Sequence, residues 1–133
     1  MSKYRKARVV AFQILYSDEL NAGQVFPVEM VRERVGGDAE LMAYAEKLVL
    51  GVHQHQSVID EEIQAALENW RLNRLTPTDR NILRMGVFEF QFFNVPPGAA
   101  INEAIEIAKE FGEQNSGSFV NGVLDKIRKN LQK

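Results

Sequence analysis

The chain has no cysteine, a single tryptophan, two histidines and four prolines in 133 residues. Without cysteine, disulfides and thiolate chemistry are both excluded, and the lack fits a reducing cytoplasm. No uninterrupted apolar run approaches the ~18–20 residues that a membrane span needs. No apolar stretch follows the basic start either, as a secretory signal would require. The expectation is a soluble, cytoplasmic protein.

Catalytic constellations are equally scarce. His53 and His55 form an H-x-H pair, but two residues apart on a helix they point to nearly opposite sides, and no third ligand is in view. Gly112 and Gly117 have phosphate-loop spacing, yet Ser118-Phe119 follows where Lys-Ser/Thr is required. Ser116 and Ser118 sit in no nucleophile elbow. Asp60-Glu61-Glu62 has the acids that a first helical turn favours by its dipole alone. No catalytic residue, metal site or cofactor is expected, and the chain is not read as an enzyme.

What is present is charge asymmetry and helical periodicity. Lys3, Arg5, Lys6 and Arg8 give the first eight residues +4 in a chain of formal net charge −2, so the remainder carries about −6. Lys126, Arg128, Lys129 and Lys133 repeat the pattern at the other end. Such asymmetry points to a polyanion or membrane surface at the ends, the alternative being solvated tails. A membrane-surface helix is disfavoured, because Arg5 lies among Val9, Phe12 and Tyr16 and leaves no clean apolar face.

The length is that of one domain. A first helix has Ala7, Ala11, Ile14 and Leu15 on one side and Arg5, Val9, Phe12 and Tyr16 on the other; Asn21-Ala22-Gly23 ends it. Pro27 suits the first turn of a short second helix, which Gly36-Gly37 stops, and Asp38 caps a third. Ser57 with Asp60 resembles a capping box opening a fourth, with Ile59, Ile63, Ala66, Leu67 and Trp70 inward. Thr76-Pro77-Thr78-Asp79 opens a fifth. Its VFEFQFFNV also alternates like a strand, but Asp79, Ile82, Leu83, Gly86, Phe90 and Phe93 form one helical face, and helix is preferred. Pro96-Pro97-Gly98 breaks it. A helix bearing Ile101, Ala104, Ile105 and Ala108 ends at Gly112, and a last one carries Val120, Val123, Leu124, Ile127 and Leu131 inward. The fold class is all-α, a single domain of six or seven helices.

Three surfaces look used. Arg5, Phe12 and Tyr16 form a strip that could stack bases and hold phosphates, or be buried because the helix is central. Arg84, Phe88 and Phe92 lie opposite the main face of the fifth helix and need either a second helical layer or a protein partner. Phe119 follows Asn115-Ser116-Gly117-Ser118 at a helix start, where amides can hold phosphate and a ring can stack on a base; the edge of the core is the alternative.

Together these segments resemble a known family. INEAIEIAKEFG followed by NSGSFVNGVLDKI is similar to the C-terminal signature of the NusB family of bacterial transcription antitermination factors. RNILRMGVFEF resembles its LR-x-A-x-YEL segment, and ARVVAFQILYS its first helix. The resemblance implies about seven helices in two packed three-helix bundles, over one RNA-binding domain (1–133) with a basic arm at about residues 1–8. It implies binding of boxA-type single-stranded RNA together with NusE, a small-subunit ribosomal protein, in the RNA polymerase antitermination complex at ribosomal RNA operons. Carried onto this chain, RNA contacts fall on Lys3, Arg5, Lys6, Arg8, Tyr16, Asn115, Ser118 and Phe119, and NusE contacts on Asp79, Arg84, Phe88 and Glu89. The arm departs from the family in being short and mixing lysine with arginine. Phe88 stands where the family has tyrosine, and Gly86 where it has alanine, tolerable if a neighbouring helix packs closely there. Two rivals remain: a NusB-like domain of an RNA methyltransferase, and a homo-oligomeric helical scaffold. A homodimer is compatible with either antitermination or scaffolding.

Overall fold

Local start signals set the helices. In the computed structural model, which describes residues 3–21 and 28–132, the Asp38 carboxylate accepts from the backbone N–H groups of Glu40 and Leu41, and Thr76 Oγ1 accepts from that of Asp79. These caps open α3 (Ala39–Ala66) and α4 (Pro77–Phe92). Before them come α1 (Arg5–Leu20) and α2 (Val28–Arg34); after them, α5 (Pro97–Phe111) and α6 (Ser116–Leu131). A single 3₁₀ turn, Leu72–Arg74, lies between α3 and α4. Gly36 and Gly37, both at positive φ, end the α2 segment as expected. The roles given to Ala22, Gly23 and Pro27 fall outside the described residues. No described helix is long and apolar enough to cross a membrane.

One expected boundary does not exist. Ser57 and Asp60 lie inside α3, which runs uninterrupted for 28 residues. The described helices therefore number six plus a 3₁₀ turn, and the expected third and fourth helices are one. Gly51, in the middle of α3, is required by packing: a Cβ there would sit 2.1 Å from Phe88 Cζ. Two inward residues are also corrected. Trp70 lies past the end of α3 and is 62% exposed, and Leu131 in the last turn of α6 is exposed.

The ambiguous stretch is helix, and it is central. Nine consecutive residues of α4, Asn81 to Glu89, are buried, which one packing face cannot achieve. α4 lies against α3 and α1 on one side and α5 and α6 on the other. The molecule thus divides into α1–α3 and α4–α6, which meet where α4 packs on α3 and α1 and where α6 reaches α3. Gly86 allows close approach of α6, since a Cβ there would lie 2.9 Å from Leu124 Cδ1. Of the two alternatives for Arg84, Phe88 and Phe92, the second layer of helices holds: Arg84 and Phe88 are buried and Phe92 half-buried.

Candidate nucleic-acid interface

Arg5, Lys6 and Arg8 lie in the first turn of α1, and Lys3 stands just before it. Helical spacing places Arg5 and Arg8 on one side and Lys6 on another. Arg5 Nε and Nη2 donate to the two oxygens of Glu103 on α5, at 3.2 and 2.9 Å. Its Nη1 makes no hydrogen bond among the described residues. Arg8 is 4% exposed and reaches across the molecule. Its Nε donates to both oxygens of Glu89 on α4 at 2.9 Å, Nη2 to Tyr44 Oη of α3 at 3.0 Å, and Nη1 to Glu103 at 3.4 Å. Tyr44 in turn donates to Glu89.

Charge states follow from these contacts. Burial alone would push the Glu103 carboxyl up, but the Arg5 and Arg8 guanidiniums hold it below its ordinary value. Burial and the Glu89 carboxylate raise the Tyr44 hydroxyl far enough that it stays a donor at any physiological pH. Lys3 pairs with Glu40 at 2.7 Å, and both side chains are more than half exposed. Tyr4 donates to Glu40 and stacks on Tyr44, ring centroids 4.3 Å apart. Lys6 is exposed, and its side chain has no hydrogen bond or ion pair among the described residues. Of the four expected phosphate contacts, Lys3, Arg5 and Lys6 can turn toward a phosphate. The Arg8 guanidinium is enclosed and held by Glu89, Tyr44 and Glu103.

The second expected segment begins α6. Asn115 and Ser118 are exposed, Phe119 is half-buried, and Ser118 Oγ donates to the Asn115 carbonyl. Ser116 is buried and fixes the turn, its Oγ accepting from Glu113 N–H at 2.9 Å. Helix α5 brings the two segments together. Its Phe111 ring lies 5.3 Å from that of Phe12, and with Tyr16, Gln13 and Thr78 these rings line a groove of about 280 Å³. Further along, Arg5 faces Ile107, Lys109 and Glu110 across a second groove of about 300 Å³. Lys109 also borders α6, since a Cβ on Gly117 would lie 3.6 Å from its Cγ. The basic turn of α1, Tyr16 and the start of α6 therefore flank one helix. Phe111 and Lys109 belong to this face, and no spacing within either segment signals that.

The expected protein-partner residues are placed differently. Arg84 is buried, donating to Asp60 at 2.8 and 3.0 Å and to Glu19 at 3.0 Å. Glu19 also takes two bonds from Arg80. Burial would raise the Glu19 carboxyl, but these two guanidiniums keep it low. Phe88 is buried beneath His55 and Phe93, and Glu89 is the buried partner of Arg8. Arg84, Phe88 and Glu89 are buried, and each serves the packing of α4. Asp79 is half-buried between the starts of α4 and α6, and burial raises its carboxyl, outweighing the opposite influence of the Ser116 hydroxyl. The partners of these arginines, Glu103, Glu19 and the Tyr44 hydroxyl, lie 36 to 98 residues from the groups they hold, beyond the reach of any local spacing. Among the described residues no group of three His, Asp or Glu side chains could hold a metal ion.

A model of the NusB family matches residues 5–129. The transcription antitermination protein NusB of Anaeromyxobacter dehalogenans (strain 2CP-1) is 42% identical over 132 residues, spanning 98% of this chain and 93% of its own. Among solved structures, T. maritima NusB superposes with a TM-score of 0.86 at 37% identity, covering 96% of this chain and 92% of its own. A crystal structure of antitermination factors NusB and NusE in complex with dsRNA superposes at 0.82 and 34%, covering 98% and 99%.

Proposed function

The chain belongs to the NusB family, and from that premise we propose that it is a transcription antitermination factor that binds RNA together with NusE and joins the RNA polymerase antitermination complex, above all at ribosomal RNA operons. The observation that carries this reading is similarity over nearly the whole length, extending to a solved NusB–NusE–RNA assembly. It acts by binding rather than by catalysis, as one RNA-binding domain over residues 1–133, and it works in the cytoplasm, where nascent RNA emerges.

The RNA face is the one flanking α5. Lys6 and Nη1 of Arg5 meet phosphates, with Lys3 exchanging Glu40 for a phosphate. Asn115, Ser118 and Phe119 at the start of α6 and Tyr16 in the aromatic groove meet bases and sugars. Three cations give charge but little selectivity, because phosphate contacts position while base contacts specify. The boxA sequence is read by the rings and amides together with NusE. On the NusE side the contact falls on the half-buried Asp79, with Arg84, Phe88 and Glu89 supporting α4 from within. The acidic remainder of the chain suits a basic ribosomal protein.

Titration of boxA-type RNA, with and without NusE and at several salt concentrations, tests this. NusE tightens binding. Changing Arg5 and Lys6 together to alanine reduces the slope of log K against log salt by about 1.4. Phe119→Ala weakens boxA RNA more than a scrambled RNA. Equal, weak binding under all conditions would instead favour the scaffold reading.

A further inference from the structure

The chain's only tryptophan is exposed on a connection that is otherwise tightly built. Between α3 and α4, Gln64 grips the backbone from both sides, donating to the Trp70 carbonyl at 2.8 Å and accepting from Leu72 N–H at 2.9 Å. Arg80 Nη1 ties the other end, donating to the Leu72 and Leu75 carbonyls at 3.1 and 2.7 Å. On this fixed frame Trp70, Arg71, Asn73 and Arg74 all face solvent. Neither the Arg71 nor the Arg74 guanidinium has an ion pair or hydrogen bond among the described residues; the two are tied to each other only through the backbone, Arg74 N–H donating to the Arg71 carbonyl. Glu68, the carboxylate nearest in sequence, is held by Lys126. Beside the loop lies a groove of about 470 Å³ lined by Arg71, Asn73, Gln64 and the Arg80–Glu19 pair.

A hydrophobic dock would need a contiguous apolar patch, and here one ring stands among amides and guanidiniums. A basic protein such as the proposed ribosomal partner is repelled by two unpaired arginines. A single-stranded polyanion with stackable bases satisfies every group: the indole stacks, the arginines bind phosphates, and the amides reach sugar or base edges. The position fits as well. Glu19 lies about one turn beyond Tyr16 on the same side of α1, so that side of the helix carries both this groove and the aromatic one.

We propose that Trp70, Arg71 and Arg74 form a second RNA subsite that holds single-stranded nucleotides flanking the core element. This rests on the RNA-binding reading above and extends its track around the end of α1. Its rigid frame means that little ordering entropy is lost on binding.

Trp70 itself reports the outcome. Its intrinsic fluorescence is followed while the protein, with NusE, is titrated with boxA-type RNA and with the same RNA extended by about eight uridines at each end. The extended RNA quenches the indole and binds about tenfold tighter, while the core RNA does neither. Changing Arg71 and Arg74 together to alanine removes that gain and lowers the salt slope for extended RNA by about 1.4, leaving core binding unchanged. Trp70→Ala removes most of the affinity gain. Equal affinity and equal fluorescence with both RNAs overturn the subsite while the primary reading stands. Quenching by NusE alone, with no length dependence, overturns it in favour of a protein contact. If neither RNA binds and the Arg5/Lys6 change is silent, the primary reading fails and the subsite with it.

Discussion

Replacing Arg8 with alanine separates a structural arginine from an RNA-contacting one. In the native chain its guanidinium is 4% exposed and meets a Glu89 carboxylate that is 2% exposed, Nε lying 2.9 Å from both oxygens. Alanine leaves that carboxylate buried with Tyr44 as its remaining side-chain partner among the described residues. Breaking one side of a buried pair costs about 3–5 kcal/mol, because the orphaned charge keeps its desolvation penalty. Against a total stability of about 5–15 kcal/mol, this is a large fraction, and for a domain of this size it lowers Tm by about 10–20 °C. Thermal and urea denaturation of Arg8→Ala, Glu89→Leu and an Arg8→Leu/Glu89→Leu double variant measure it. The double variant recovers much of the loss, since an apolar pair leaves no buried charge. Lys6→Ala, at an exposed position, stays within about 0.5 kcal/mol of wild type. If Arg8→Ala instead melts like wild type and loses RNA affinity as Lys6→Ala does, Arg8 is a surface contact and the packing described for it is wrong.

Other substitutions have expected signs. Gly51→Ala forces a Cβ onto the Phe88 ring, which His55 and Phe93 hold in place, and destabilises by about 1–3 kcal/mol in urea melts. Gly86→Ala meets only the end of the Leu124 side chain and gains about 1 kcal/mol of helix propensity, so its midpoint moves by less than about 1 kcal/mol in either direction. Asp79 titrates above its ordinary value when folded, chiefly through burial. The folded state therefore binds the proton more tightly than the unfolded one, and stability falls as pH rises from the ordinary carboxylate value through the raised one. Asp79→Asn flattens that part of the stability profile, and melts from pH 3.5 to about 7 detect it. Glu19 behaves oppositely, held low by Arg80 and Arg84, so its contribution is lost on acidification and Glu19→Gln weakens the protein most at neutral pH.

The parts legible in the sequence were those fixed within one helical turn. Asp38 and Thr76 announce their helices because a cap needs only its own next three residues. The α4 stretch could be read as helix despite its alternation because it starts from a clear cap. Longer-range facts were hidden. The serine and aspartate at 57 and 60 look like a start signal, yet the helix passes through them because Ile59 and Ile63 are already buried against neighbours. The apolar second face of α4 allowed either a partner or another helix, and only the three-dimensional arrangement chooses. Arg8 illustrates the limit best. Its place in a basic run suggested solvent, whereas its partner Glu89 is 81 residues away and its burial follows from tertiary packing alone.

The unbroken α3, about 40 Å long, gives the two halves a common beam. Its first half backs α1, its Tyr44 meets the Arg8–Glu89 pair, and its second half carries Asp60 to Arg84 and Glu62 to Gln91 of α4. Neither half can be excised with its own wall intact, so a chain cut between α3 and α4 yields two incomplete fragments. The protein is expected to melt in one transition, and any strain that a ligand introduces on α1 has a stiff route to the opposite half.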